Sequence, residues 1–315
     1  MTADPRRPFM TGNIDCIEHM DGLDEYSTSA SAVPCHAART STAWLEGPGA
    51  AGAYAEGVKR FWRSIGLKLT YQVSGSALIQ CYAPATGESL GRVNPSTAEG
   101  IDRAIAKAKE AQVQWAQTTF AERRRVLKTM LKFILENQET IARVACLDSG
   151  KTMVDAALGE ILVTTEKLRW VIRHGEESLK SERRPTNLLM MYKWNEVMYQ
   201  PLGVVAALHS WNYPLHNALS PIIASIFAGN AIVVKGSEAT AWSSTYFTSI
   251  VARALEVCGH SSDIVQSIVC WPNVAEHLTS HPEISHITFI GSREVAHHVC
   301  ASAAKSLTPT ATSSA

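Results

Sequence analysis

From residue 202 to residue 305 the sequence alternates short apolar runs with longer amphipathic ones, and this leaves few folds open to it. Strands are expected at 202–208, 231–235, 264–269 and 286–290, and helices at 215–228, 240–257, 273–280 and 293–305. Runs such as Ala231-Ile-Val-Val-Lys235 are apolar at consecutive positions, as burial on both faces of a parallel sheet selects. Strands alternating with helices of this length form βαβ units, so the expected class is α/β with a doubly wound, Rossmann-like parallel sheet. Ligands of such sheets sit at the carboxyl ends of the strands.

A helical segment is expected ahead of the sheet. Residues 77–82 read as a strand and Pro84-Ala-Thr-Gly87 as a turn. Ser96-Thr-Ala-Glu99 has capping-box spacing and opens a helix to about Gln117. Further helices are expected at 120–136, 138–148 and 153–178. Residues 188–198, bounded by Pro185 and Pro201, read as an extended arm. Residues 1–72 differ in character: 27–42 are mostly small or polar and 47–57 are rich in Gly and Ala. They are expected to be a poorly ordered arm with one short amphipathic helix at about 53–65. The main domain is then 73–309, and 310–315 are expected to be a tail unrelated to it.

Charge narrows the partners. Lys+Arg and Asp+Glu are both 29, so no net field favours nucleic acid or an anionic membrane. No apolar run approaches the roughly 18–20 residues of a membrane span, and the N-terminus lacks the apolar segment of a secretory signal. A soluble, cytoplasmic protein is expected. The seven cysteines have no repeated short spacing, which favours reduced thiols over a disulfide framework. Cys16 with His19 and Cys35 with His36 could be half of a zinc site, but no second pair follows, so no metal is expected.

Two phosphate-loop look-alikes lack the required context. Gly47-Pro-Gly49-Ala-Ala-Gly52 follows a poor strand, and no acid lies about 20 residues beyond it. Asp148-Ser-Gly-Lys-Thr152 closes a helix and has Ala145 where the first glycine belongs, so Gly150 reads as a helix C-terminus.

Residues 199–238 carry more: Tyr-Gln-Pro-Leu-Gly-Val-Val, then Ser210-Trp-Asn-Tyr-Pro214, then Gly229-Asn-Ala-Ile-Val-Val-Lys-Gly-Ser-Glu238. With His286-Ile-Thr-Phe-Ile-Gly-Ser292, Asp148-Ser-Gly-Lys and Ser280-His-Pro-Glu, in order and at the right spacings, this resembles the cofactor-binding half of the aldehyde dehydrogenase superfamily over residues 76–309.

The resemblance implies oxidation of an aldehyde by NAD or NADP, through a cysteine thiolate and a glutamate-activated water. It assigns Asn212 as the amide donor to the developing oxyanion, a role worth about 3–4 kcal/mol of barrier; read bare, Asn212 is a turn residue before Pro214. Ser210 and Trp211 would line the cofactor cleft, although Trp211 could equally be a packing residue. Lys235 and Glu238 would hold the adenosine ribose hydroxyls, and a carboxylate there disfavours a 2′-phosphate, so NAD is expected over NADP; a plain salt bridge is the alternative. Gly291, Ser292 and Val295 would form the pyrophosphate turn, or else an ordinary βα turn. The chain departs from the family pattern at Gly236, usually Pro, which implies a more flexible loop. It departs again at Ala296, usually Gly, whose methyl would hinder close approach.

The family's general-base Glu-Leu-Gly-Gly-Lys segment and its nucleophilic cysteine would lie beyond the resemblance. Cys270 and Cys300 are poor substitutes, Cys300 being read as a small buried hydrophobe. The sequence therefore reads as a C-terminally truncated member that should not turn over alone and whose sheet lacks the strand after 286–290. The alternative is a non-catalytic nucleotide-binding fragment that associates with itself or with an intact relative through the 188–199 arm.

Overall fold

The computed structural model describes residues 78–314. The arm at 1–72, its expected helix at 53–65, the glycine loop at 47–52 and the Cys16 and Cys35 pairs lie outside the described residues.

The sheet comes from the predicted alternation. β5 (Val204–His209), β6 (Ala231–Gly236), β7 (Val265–Val269), β8 (His286–Gly291) and β9 (Thr310–Ser314) form one five-stranded sheet in the order β7-β6-β5-β8-β9. All four pairings are parallel. Every residue of β5 and of β6 is buried, which requires cover on both faces. That cover comes from α5 (Pro214–Phe227) and α6 (Ala241–Val257), and from α1 (Ala98–Trp115), α7 (Pro272–Thr279) and α8 (Arg293–Ala303). The order reverses at β5, so β6 and β8 leave it on opposite sides and a crevice opens at their carboxyl ends.

β9 corrects the expectation that the sheet lacks a strand after 286–290. Residues 310–314 pair in parallel with β8, Ile287 opposite Thr310 through Gly291 opposite Ser314, and Ile287 N–H donates to Pro309 O at 2.9 Å. The segment is an edge of the sheet, not a tail outside it. Thr and Ser suit such an edge, where only one side of the ladder is paired.

The helical segment follows its capping signals. Thr97 caps α1 by accepting Gly100 N–H. Thr119 and Glu122 form a reciprocal capping box at α2 (Phe120–Glu136). α3 (Gln138–Ser149) ends at Gly150 in the left-handed region (φ 76°), as its glycine predicts. The expected helix at 153–178 is one continuous run, α4, entered at Met153–Asp155, π-helical over Ala156–Leu162 and completed by Val163–Ser178. Trp115 of α1 is buried and its indole N–H donates to Ile226 O at 2.9 Å, joining the segment to α5.

Two small ribbons complete the structure. β1 (Ile79–Tyr82) and β2 (Ser89–Val93) pair antiparallel. β3 (Glu182–Arg184) and β4 (Asn195–Val197) form a hairpin at the expected arm, with a 3₁₀ turn at Leu188–Met190 in its loop.

Candidate functional site

At the carboxyl end of the sheet lies a cleft of about 640 Å³. Ser210 and Trp211 enter it from the end of β5, Lys235 and Glu238 from the end of β6, and Gly291, Ser292 and Val295 from the turn between β8 and α8. The structure thus brings together all seven residues expected to bind cofactor. Leu208, Phe289, Ile290 and Val299 supply apolar wall.

Lys235 is buried, and its Nζ lies 3.0 Å from Glu238 Oε2. Glu238 opens a single 3₁₀ turn (Glu238–Thr240), so both groups face the cleft mouth from one short segment. Gly236 between them is not a loose loop residue. It is the last residue of β6, and a Cβ there would come within 2.6 Å of Ser244 Oγ. The expectation of flexibility is corrected: α6 packs too close to admit a side chain.

Below Gly236 lies His209, which the sequence reading passed over. Its Nδ1 is 3.1 Å from Ser210 O, while Nε2 is buried without a partner among the described residues. Burial, opposed by the Ser210 carbonyl and reinforced by nearby Lys235, pushes its pKa down to about 4, so the ring is neutral near pH 7.

On the other wall, Ser292 caps α8 by accepting Val295 N–H at 3.4 Å. The first N–H groups of that eleven-residue helix point out of its N-terminus toward the cleft. A Cβ on Gly291 would lie 2.7 Å from Phe289 Cζ, so this turn also depends on glycine. Ala296, expected to hinder close approach, does not line the cleft and packs against the core.

Asn212 sits beside this cleft and is not among its lining residues. Its Oδ1 accepts Ser210 Oγ–H at 2.5 Å and Asn217 Nδ2–H at 3.2 Å. With the carbonyl side engaged twice, the amide nitrogen has no hydrogen-bond partner among the described residues. Its backbone oxygen accepts Lys151 Nζ at 2.7 Å, and the same ammonium meets Glu160 Oε1 at 2.7 Å. Glu160 Oε2 accepts the N–H groups of Leu215 (2.8 Å) and His216 (2.9 Å). α5 begins at Pro214 with no cap of its own, so the buried carboxylate of Glu160 supplies that cap from another helix.

The π-helical turn explains how Glu160 gets there. One extra residue per turn re-aims the side chains. Gly159 faces the Tyr213 ring, and a Cβ would lie 2.4 Å from Tyr213 Cε1. Lys151 stands 4.0 Å from the same ring centroid. Burial pushes the Glu160 carboxyl up, against the pull of Lys151. The signal for Lys151 lay in the Asp148-Ser-Gly-Lys block; Glu160 sits in an apolar run, where a carboxylate demands a partner.

None of the described thiols lines the cleft. Cys270 is fully buried, does not line the cleft, and burial pushes its thiol up. Cys81 is pushed up to about 11 by burial and Asp148. Cys300 is exposed on α8 with Sγ 3.6 Å from Thr310 Oγ1, which corrects its reading as a buried hydrophobe.

Three comparisons bear on this arrangement. The family model described as the aldehyde dehydrogenase family matches residues 71–313. An aldehyde dehydrogenase-like protein of Schizosaccharomyces pombe is 56% identical over 234 residues, covering 74% of this chain and 45% of that protein. A Mycobacterium tuberculosis aldehyde dehydrogenase complexed with NAD⁺ superposes with a TM-score of 0.70 at 26% identity, over 76% of this chain and 49% of that one. An NADP-dependent enzyme of Escherichia coli gives 0.70 at 25%, over 76% and 49%. The chain thus spans less than half the length of these relatives.

Proposed function

The chain belongs to the aldehyde dehydrogenase family, and on that premise we propose that its parallel sheet holds a nicotinamide dinucleotide, NAD in preference to NADP, in the service of aldehyde oxidation. The observation that carries this reading is the convergence of Ser210, Trp211, Lys235, Glu238, Gly291, Ser292 and Val295 on one cleft. A cleft of about 640 Å³ with apolar walls and a few convergent polar groups suits a ligand of this size.

In this reading Lys235 donates to the adenosine ribose hydroxyls and Glu238 accepts from them. The Glu238 carboxylate repels a 2′-phosphate, which sets the preference for NAD. The N–H groups that open α8 receive the pyrophosphate, and Gly291 and Ser292 shape that turn. The bound nicotinamide supplies the hydride acceptor. Asn212 donates its amide N–H to the aldehyde oxygen as charge develops there. Ser210 and Asn217 hold its carbonyl edge, so the donor edge needs no reorganisation.

None of the described thiols lines the cleft: Cys81, Cys146 and Cys270 have raised pKa values, Cys258 is buried, and Cys300 is exposed on α8 outside the lining. The part proposed for residues 78–314 is therefore cofactor binding and oxyanion donation. The same observation supports a second reading for the chain alone, a nucleotide-binding unit without turnover.

Titration calorimetry with NAD and with NADP tests the proposal. Saturable NAD binding is expected, with weaker NADP binding, and Glu238→Ala should narrow the difference between them. Binding of neither nucleotide, or a Glu238→Ala chain that discriminates as before, overturns the reading. NAD binding without aldehyde-dependent NADH formation selects the second form of it.

A further inference from the structure

Helix α7 walls the cleft with Pro272, Ala275, Glu276 and Thr279. Where it meets α1 it carries a group of side chains that cofactor binding does not use. His277 and His281 stand four residues apart, at the end of α7 and just past it, the spacing that puts two imidazoles on one side of a helical turn. Ser280 N–H donates to Glu276 O at 2.9 Å and His281 N–H to Leu278 O at 3.3 Å, so the backbone still turns there. The two rings meet edge to face with centroids 5.8 Å apart. Asp102, in the second turn of α1, reaches both of them: its Oδ1 lies 2.5 Å from His277 Nε2 and 3.4 Å from His281 Nε2. One ligand atom from each of the three residues falls within 4.8 Å of the other two.

These donors suit zinc. Zinc takes imidazole nitrogen and carboxylate oxygen at about 2.0–2.2 Å in a tetrahedron, which sets neighbouring donors about 3.3 Å apart. The Asp102–His281 separation already has that value. Asp102 and His277 must part by less than about 1 Å, and at 50% and 40% exposure their side chains have room to do so. The same exposure leaves a fourth position to water. Two imidazoles also select against magnesium and calcium, which favour oxygen ligands throughout. The nearest lysine along α1, Lys109, is engaged by Glu283, so its charge is already matched.

One hydrogen bond has to give. Glu283 N–H donates to His281 Nδ1 at 3.1 Å, which keeps the proton of the neutral ring on Nε2. A metal on Nε2 needs that proton on Nδ1 instead. Pro282 and Glu283 are exposed, so water can take up both N–H groups once they part.

We propose that Asp102, His277 and His281 bind one zinc ion through Asp102 Oδ1 and the two Nε2 atoms, with water completing the shell, so that the metal ties α1 to the helix that walls the cleft. The sequence displays only the histidine pair, because the third ligand lies 175 positions from His277. This inference stands apart from the cofactor reading.

Titration of the metal-free full chain with cobalt(II), a coloured stand-in for zinc, tests it. Visible d–d bands without thiolate-to-cobalt charge transfer are expected to saturate at one equivalent, and zinc should displace the cobalt. His277→Ala/His281→Ala should abolish the bands, and Asp102→Asn should weaken binding by at least about tenfold, both with unchanged far-UV circular dichroism. Zinc should raise the thermal unfolding midpoint of the parent and leave that of the double variant in place. A parent that binds no cobalt overturns the proposal, as does a His277→Ala/His281→Ala chain that binds like the parent. Thiolate charge transfer that survives the double change also overturns it, in favour of cysteine ligands.

Discussion

Lys151 Nζ lies 2.7 Å from Glu160 Oε1, with the two side chains 7% and 0% exposed, and between them they hold both ends of the Asn212–His216 turn. The lysine fixes the Asn212 carbonyl and the glutamate fixes the first N–H groups of α5. A pair this deep gains little net energy from charge alone, but losing one partner strands the other.

Lys151→Met is accordingly expected to destabilise the fold by about 3–5 kcal/mol, because it leaves the Glu160 carboxylate buried and unpaired. Glu160→Gln strands the buried Lys151 ammonium in turn, since an amide oxygen that accepts Leu215 and His216 N–H turns the amide nitrogen toward that cation, so a comparable loss of about 3–5 kcal/mol is expected. Urea unfolding of the two variants checks this. Losses below about 1 kcal/mol for either variant would mean that the ion pair is not what the site depends on.

Gly236→Ala should cost about 1–3 kcal/mol through overpacking against Ser244, whose Oγ and Cβ lie 2.6 and 2.8 Å from the added methyl. Ser244→Gly in the same chain should recover part of that loss, although each change alone destabilises. A double-mutant cycle with no coupling would place the cause elsewhere.

Acid should destabilise the protein below about pH 6.5. His209 and His216 are both pushed down to about 4, chiefly by burial. The folded state therefore binds fewer protons than the unfolded chain between pH 4 and 6.5, and stability falls as pH drops through that window, by at most about 3 kcal/mol for each histidine. Asp148 works the other way. Burial raises its carboxyl to about 6, so the folded state binds its proton more tightly and stability falls as pH rises from about 4 to 6. His286, lowered by burial, and Glu160, raised by it, add one group to each side. His209→Leu should flatten the dependence of the unfolding midpoint on pH between 4 and 6.5, and Asp148→Asn should steepen it. Unchanged slopes would remove these groups from the account.

Thr119→Ala should cost about 1 kcal/mol, because it removes the acceptor for Glu122 N–H and one of the partners of the Glu122 carboxylate. Thermal unfolding reads this directly, and a shift no larger than at an exposed serine would argue that the box contributes nothing.

The sheet and most helices were legible because their signals are local. Consecutive apolar residues at 231–235, capping residues at Thr97 and Thr119, and Gly150 at a helix end each speak for their own element. The seven cleft residues were named by the family resemblance, and the strand ends they occupy bring them together. The missed features are all tertiary. Nothing near Glu160 in sequence announces that it caps α5, 55 positions away. His209 looks like one more residue in an apolar strand until α6 is packed over Gly236. The edge strand β9 was passed over because Thr-Ala-Thr-Ser-Ser lacks the apolar run that marks a central strand, whereas an edge needs only a partner.

The strand order that shapes the cleft also sets a timetable for synthesis. Val205 of β5 pairs with Ile232 on one side and with His286 on the other. The second partner is made 286 − 205 = 81 residues later, roughly 4–16 s at ordinary elongation rates. Throughout that interval a fully buried strand of the finished molecule has at least one bare edge. Parallel pairing over such a span is slow to form and open to wrong partners in the meantime, so the nascent chain has greatest need of a chaperone while residues 210–290 are emerging from the ribosome.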